Sequence, residues 1–303
     1  MANPPRILVT GASGHLGRRV VELLLEASGR AGAVAVAVVA ASRTPDKLAD
    51  LARRGAALRV LDFEKRETLA DAFRGIDRML LVSTDALDKP GRRLEQHRAA
   101  VAAAVAAGVK HVAYTSLTNP GPESPILLAP DHDGTEAALK ESGIGHTSLR
   151  NNCYADLFLA SLPHAVATGK LFAAAGTGAV GYVSREDCAR AAVAVLLKAE
   201  DSARQILDVT GPELVTQAEV ARIASEVTGR PVEYVNVTVE EKTAGLVAAG
   251  LPSAVAKIYA SFDVAIAKGT LAVVAKTVEN LTGRAPKRLA DFLREHRAAL
   301  LGA

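Results

Sequence analysis

The chain has no tryptophan, and aromatic residues make up only 4% of its 303 positions. Alanine, valine and leucine must therefore build the core. Only two cysteines occur, Cys153 and Cys188, far apart and in no zinc or redox spacing. A disulfide framework is excluded, and a reduced, cytoplasmic protein is expected. None of the seven histidines pairs at a two- or three-residue interval suited to a metal, so no metal is expected. The longest apolar run, "AVAVAVVAA" from Ala33, falls short of the roughly 18 residues a membrane helix needs. "MANPPR" leads straight into a strand-like segment, so neither a signal peptide nor a membrane partner is expected. The net charge of +3, without a dense Lys/Arg run, argues against a nucleic-acid partner.

What is present is a rhythm. "RILVT" leads to "LGRRVVELLLEAS", "AVAVAVVAA" to "PDKLADLARRG", "ALRVLD" to "RETLADAFRG", "RMLLVST" to "RRLEQHRAAVAAAVAAG", and "HVAYTS" to "GTEAALKESG" and then "HTSLR". Continuous apolar strands alternating with amphipathic helices predict a parallel sheet covered on both faces. Right-handed crossovers then make it an α/β, doubly wound Rossmann-type fold. After Arg150 the rhythm changes. "VGYV" and "QILDVTG" are expected to return two strands to the sheet, and Thr216 with Glu219 forms a capping-box pattern ahead of a mostly helical remainder. The expected organisation is a Rossmann domain over 1–155, with strands and a helix from 180–212. Residues 156–179 and 213–303 would form a smaller, mostly helical, substrate-side C-terminal lobe.

Between the first strand and first helix stands "VTGASGHLG". Gly11 permits the tight turn, Gly14 lets phosphate approach the backbone, and Gly17 lets helix pack on strand. A pyrophosphate is expected on the exposed N–H groups of the helix start. At the end of the second strand an NAD site would carry an acidic residue. This chain has Ser42 and Arg43, with Lys47 one turn on. Arg43 can pair bidentately with a 2′-phosphate, a preference of about 1.5–3 kcal/mol for NADP. Asp62 is placed to accept from an adenine amino group or to cap a helix, and Phe63 to lie against the ring. Ser83 and Thr84 end the fourth strand, and Tyr114, Thr115 and Ser116 the fifth. All five are candidates for the nicotinamide half, because ligands bind beyond the carboxyl ends of such strands.

A phenol with an ordinary pKa near 10 needs a lysine one helical turn away to donate a proton at neutral pH. Four residues after Tyr114, Tyr154, Tyr182, Tyr234 and Tyr259 stand Thr118, Phe158, Glu186, Thr238 and Asp263. No Tyr-x-x-x-Lys pair exists. The helix expected to carry it reads "PDHDGTEAALKESG", with His132, Thr135 and Glu136. No G-x-S-x-G surrounds a serine nucleophile either. A reaction that needs reductant and positioning but little proton management remains, and hydride transfer to a quinone fits it. Carbonyl reduction and sugar-nucleotide epimerisation are disfavoured.

"VTGASGHLG", "SRTPDK", "LLVST", "AAGVKHVAYTSL", "HDGTEAAL", "TSLRNNCYADL" and "AAAGTGAVGYVSREDCARAAVAVL" together resemble the NmrA-like branch of atypical short-chain dehydrogenases, and within it the bacterial NAD(P)H:quinone oxidoreductase type 2 group. The resemblance spans nearly the whole chain. It implies a preference for NADPH, quinone-like acceptors and a substrate cleft between the lobes. It implies cofactor contacts at Gly11, Ser13, Gly14, His15, Leu16, Arg43, Ser83, Thr84 and the "RNNCY" turn. Asn151 and Tyr154 would lie near the nicotinamide or substrate, with His132 beside them to hydrogen-bond a quinone oxygen. Asn152 and Cys153 stand where the quinone reductases carry Gly-Trp, so the aromatic wall of the pocket differs. The same family contains non-catalytic NADP(H) sensors that act through protein partners, an alternative that the residues leave open, as they do a homodimer.

Overall fold

A computed structural model describes residues 4–29, 35–198 and 200–302. The first two residues of the Ala33 apolar run lie outside this range. Two compact units form. One comprises residues 1–116, 131–150 and 188–207; the other comprises 117–130, 151–187 and 208–303. The expected division near residue 155 thus falls at 150, and 117–130 groups with the later chain.

The first unit is built on strands β1 (Arg6–Val9), β2 (Ala37–Ser42), β3 (Ala57–Val60), β4 (Arg78–Leu81), β5 (His111–Leu117) and β6 (Gly145–Asn151). Helices α1 (His15–Ser28), α2 (Ala49–Arg53), α3 (Arg66–Phe73), α4 (Arg92–Ala106) and α5 (Ala129–Glu141) intervene. β5 is buried along its whole length, as a strand covered on both faces must be. Beneath the sheet, Leu8, Val39, Leu69, Phe73, Met79, Leu81, Val101 and Tyr114 share one core. Each fully buried aliphatic side chain there contributes about 1.5–3 kcal/mol.

The second unit adds β7 (Lys170–Ala173), β8 (Ala179–Val180), β10 (Val215–Thr216) and β11 (Glu233–Asn236), with helices α6 (Phe158–Thr168) and α8 (Gln217–Thr228), while most of α7 (Arg185–Lys198) and β9 (Arg204–Val209) groups with the first unit. Helices α9 (Val239–Ala248) and α10 (Ser253–Ala267) precede the short α11 (Thr277–Thr282), α12 (Leu289–Glu295) and α13 (Arg297–Leu300). The main sheet has the order β3-β2-β1-β4-β5-β6-β9. β1 pairs in parallel with both β2 and β4, as β2 does with β3 and β4 with β5. The strand order reverses between β1 and β4, and ligands of open α/β sheets bind beyond the carboxyl ends at that reversal.

Two expectations change. "QILDV" joins the main sheet as β9, but "VGYV" does not. Its first residue ends β8, which pairs antiparallel with β10 in a separate two-stranded sheet. The reason is packing: Val180 and Tyr182 enter the second unit's own core, and Tyr182 accepts a hydrogen bond from Gln217 Nε2 at 2.7 Å. Backbone crowds this segment, since a Cβ on Gly181 would stand 2.3 Å from the Val273 carbonyl oxygen. "KLFA", within the 156–179 segment expected to be mostly helical, is β7, parallel to β11, with Leu171 and Ala173 buried on alternate positions. The Thr216 capping box forms as expected, both reciprocal bonds being present.

Candidate cofactor and active site

The glycine loop follows β1 directly. Gly11 adopts φ +60°, a conformation that disfavours side chains, and its carbonyl accepts from the Gly14 N–H at 2.9 Å. A Cβ on Gly17 would stand 2.4 Å from the Gly11 carbonyl oxygen, so only glycine lets α1 approach so closely. Gly14 differs. A Cβ there would meet only the Gly11 oxygen, at 3.4 Å, so the fold itself does not require glycine. Ser13, Gly14 and His15 are exposed, while Leu16 and Gly17 are buried. α1 begins without a side-chain cap and without an acidic residue in its first turn. Its free N–H groups and positive dipole end suit an anion, and the cradle at Gly14 fits a phosphate.

β2 delivers Ser42 and Arg43 beside this loop. Ser42 is buried; its hydroxyl donates to Ser13 Oγ at 3.0 Å and accepts from the Thr44 N–H at 3.1 Å. Arg43 has a side chain 66% exposed and stands 3.7 Å from Asp85, itself 87% exposed. An exposed pair of this kind contributes about 0–1 kcal/mol, so Arg43 can exchange Asp85 for a phosphate. Lys47 is exposed one turn on. Asp62 closes a local turn, its Oδ1 accepting the Glu64 N–H at 3.1 Å, and the N-cap position of α3 falls to Lys65, which makes no side-chain cap. Phe63 is partly buried against the first unit's core.

The ends of β4 and β5 are pinned by side chains. The Ser83 N–H donates to Thr115 Oγ1 at 2.8 Å, and Thr115 Oγ1 donates to Ser83 Oγ at 3.3 Å. The Thr84 N–H donates to His97 Nε2 at 3.0 Å. Tyr114 and Ser116 project to the other side of β5, as alternation along a strand requires. Ser116 Oγ donates to Glu136 Oε1 at 2.6 Å, and Arg150 grips that carboxylate bidentately at 3.0 and 2.7 Å. Glu136, which occupies the helix where a lysine was sought, is thus one half of a buried ion pair.

Tyr114 is fully buried, and its hydroxyl lies 2.9 Å from His132 Nδ1. His132 is 5% exposed, with Nε2 3.1 Å from Arg93 Nη2. A guanidinium only donates, so Nε2 is an acceptor and the His132 proton sits on Nδ1, directed at Tyr114. The same logic applies to His97. Its Nε2 accepts from a backbone N–H, so Nδ1 carries the proton and donates to Thr135 Oγ1 at 2.9 Å; Thr135 in turn donates to the Asp131 carbonyl at 2.6 Å. Burial first, then the nearby Arg93 charge, push the His97 pKa down to about 3. The same causes hold His132 well below its ordinary value, and burial raises the Tyr114 phenol. Neither His132 nor Tyr114 offers a free polar atom at the surface. His132 was expected to reach a quinone oxygen, but the fold commits both of its ring nitrogens internally.

Within the second unit, Asn151 is 4% exposed and donates through Nδ2 to the Tyr154 hydroxyl at 3.1 Å. Its buried Oδ1 has no hydrogen-bond partner, the usual mark of a group awaiting a ligand or water. The Arg185 guanidinium lies 5.1 Å from the Tyr154 ring centroid. Asn152 donates to the Leu271 carbonyl at 3.0 Å, and Cys153 packs against the second unit's core, so both support the fold locally. Among the described residues no cluster of three potential metal ligands occurs, and no helix is long and apolar enough to cross a membrane.

His97, Arg93 and Arg150 had not been singled out. The only sequence signal for the first two is their spacing, four apart on α4 and in line with the buried Ala100, Val101 and Ala104.

A seven-stranded doubly wound sheet with a glycine loop at its strand-order reversal defines the chain as a Rossmann-type α/β protein with a dinucleotide-type site. Residues 4–289 match the NmrA-like family, and the chain belongs to it. It is 36% identical over 285 residues to quinone oxidoreductase 2 of Escherichia coli, covering 94% of this chain and 96% of that protein. It is 29% identical to the NAD(P)H azoreductase of Xenophilus azovorans, covering 97% and 98%. The crystal structure of the Escherichia coli quinone oxidoreductase with NADPH superposes with a TM-score of 0.86 at 34% identity, covering 96% of this chain and 99% of that one. The Citrobacter triphenylmethane reductase with NADP(H) gives 0.84 at 33% identity, covering 96% and 99%.

Proposed function

We propose that this protein is an NADPH-dependent oxidoreductase that delivers hydride directly to a quinone-like acceptor, without a Tyr/Lys acid pair. The observation that carries the reading is Arg43, exposed and only weakly paired at the end of β2, beside an uncapped helix start that a phosphate fits. Gly11, Ser13, Gly14, His15 and Leu16 would hold the pyrophosphate on the first N–H groups of α1. Ser42, Arg43 and Lys47 would hold the 2′-phosphate, and Asp62 and Phe63 would meet the adenine. Ser83, Thr84 and Thr115 would line the nicotinamide half, and Asn151 would use its unpartnered Oδ1 for cofactor or substrate, with Tyr154 beside it. When bound, NADPH supplies the hydride.

The chain's own contribution is orientation. Tyr114 cannot act as an acid, because burial raises its pKa and its hydroxyl is engaged internally. His132 cannot, because Arg93 occupies its lone pair and burial keeps it neutral. The protons a reduced quinone needs therefore come from water. The named activities of the relatives, on quinones, azo compounds and triphenylmethane dyes, support an NAD(P)H-dependent reductase of such acceptors.

The test is NADPH consumption, without added flavin, over benzoquinones, naphthoquinones, azo dyes and ketones. Turnover with quinones and none with ketones is expected. NADPH binding without turnover of any quinone overturns the reading and leaves a redox sensor acting through a protein partner.

A further inference from the structure

We infer that His97 is a positioning residue for the strand-end segment Val82–Thr84, acting through the lone pair of its Nε2. Three successive N–H groups of this segment lie beyond the last residue of β4 and donate to side chains. Val82 donates to Thr10 Oγ1 at 2.9 Å, Ser83 to Thr115 Oγ1 at 2.8 Å and Thr84 to His97 Nε2 at 3.0 Å. The segment is therefore held by three pegs from three different elements. Two of them belong to the neighbouring strands: Thr10 directly follows β1, and Thr115 lies within β5. The third comes from α4 and grips the outermost residue.

A histidine can serve as this peg only while Nε2 is unprotonated. The cluster behind it enforces that state. Thr135 Oγ1 accepts a hydrogen bond from the Nδ1–H at 2.9 Å and donates its own hydroxyl to the Asp131 carbonyl. The Arg93 charge, whose Nη2 donates to His132 Nε2, opposes any second proton on His97. His132 and Tyr114 complete the packing, the Tyr114 ring standing edge-on to His97 with centroids 5.6 Å apart. The helix that lacks the usual acid thus has another task, which is to keep His97 neutral and correctly turned. The link from His97 to the reaction rests on the proposed reading that Ser83 and Thr84 line the nicotinamide half.

The test uses the full-length protein and two amide variants. His97→Gln carries its acceptor about as far as Nε2, whereas the shorter His97→Asn reaches Thr135 but not Thr84. Hydrogen exchange of the Thr84 amide should quicken about 10-fold in His97→Asn and stay within about threefold of wild type in His97→Gln. With a quinone acceptor, kcat/KM should fall about 10-fold in His97→Asn and be restored in His97→Gln. The ring nitrogen shifts of the wild-type protein should show Nδ1 protonated and Nε2 bare from about pH 8 to pH 5. Equal loss in both variants, unchanged exchange in His97→Asn, or a proton on Nε2 overturns the inference. Exchange and tautomer need no turnover, so they decide the positioning role even if every quinone fails. Faster exchange with unchanged kcat/KM overturns the link to the reaction.

Discussion

Gly14 at the N-cap of α1 and Gly17 in its first turn lie three residues apart, yet alanine at each should fail for different reasons. At Gly17 the added Cβ would meet the Gly11 carbonyl oxygen at 2.4 Å, the Gly11 carbonyl carbon at 2.8 Å and the Thr10 oxygen at 3.0 Å. These are backbone atoms of β1 and its turn, so they cannot swing aside. α1 would have to withdraw by about 1 Å to restore ordinary contact, in an interior packed as densely as a crystal. Overpacking of this kind costs about 1–3 kcal/mol, offset by about 1 kcal/mol of alanine's helix preference. Gly14, by contrast, has φ −85° and ψ 165°, which any residue adopts, and its Cβ would make a single contact at 3.4 Å. The folded protein should tolerate Gly14→Ala to within about 1 kcal/mol, since a helix start prefers glycine to alanine only modestly. The methyl group would instead occupy the space offered to a phosphate. Thermal denaturation without ligand and fluorescence titration with NADPH separate the two effects. Gly17→Ala is expected to lower Tm by several degrees. Gly14→Ala should keep Tm and lose at least about 10-fold in NADPH affinity, or about 1.4 kcal/mol. A Gly14→Ala protein that binds NADPH normally, or melts as early as Gly17→Ala, refutes the reasoning.

Arg43→Glu should reverse cofactor preference by about 10- to 100-fold in the ratio of KM values for NADPH and NADH, the scale of a charged hydrogen bond; unchanged preference means that Arg43 is not the selector. Glu136→Leu removes the carboxylate that Arg150 and Ser116 share and should destabilise the protein by about 3 kcal/mol, the lower part of the range for buried pairs because the Arg150 side chain is 22% exposed. Urea unfolding measures this, and a loss below about 0.5 kcal/mol contradicts a buried pair. Acid should destabilise the fold through its neutral histidines. His97 has a pKa pushed down to about 3 by burial and Arg93, His111 to about 4 by burial with Arg78 and His146, and His132 is lowered too. Between the ordinary value of 6.5 and about 4, the unfolded chain therefore binds more protons than the native one. Stability falls as pH falls, approaching about 1.4 kcal/mol per pH unit for each histidine. A flat stability profile from about pH 7 to pH 5 counts against the buried network.

Much of the fold was legible because it depends on local signals. Strand–helix alternation, the glycine loop and the Thr216 capping box are written in residues that touch their near neighbours, so spacing alone places them. The path of "VGYV" was not legible. A short apolar run can join any sheet whose edge and core accept it, and here Tyr182, Gln217 and the crowding at Gly181 directed it away from the main sheet. The strand-end trio was half legible. Alternation predicts that Tyr114 and Ser116 share a face while Thr115 takes the other, but not that Tyr114 and Ser116 meet His132 and Glu136 of α5 while Thr115 meets Ser83.

By itself the sequence determined the glycine-rich turn after β1, the basic residue at the end of β2 and the lack of a Tyr/Lys pair, because each is a matter of which residue stands at which spacing. The fate of His132 was decided only by tertiary structure. Its partners, Arg93 and Tyr114, come from α4 and β5, 39 and 18 residues away. Burial among them shifts its pKa and occupies both nitrogens. A histidine's chemistry belongs to its surroundings, and those are assembled only when the helices close over the sheet.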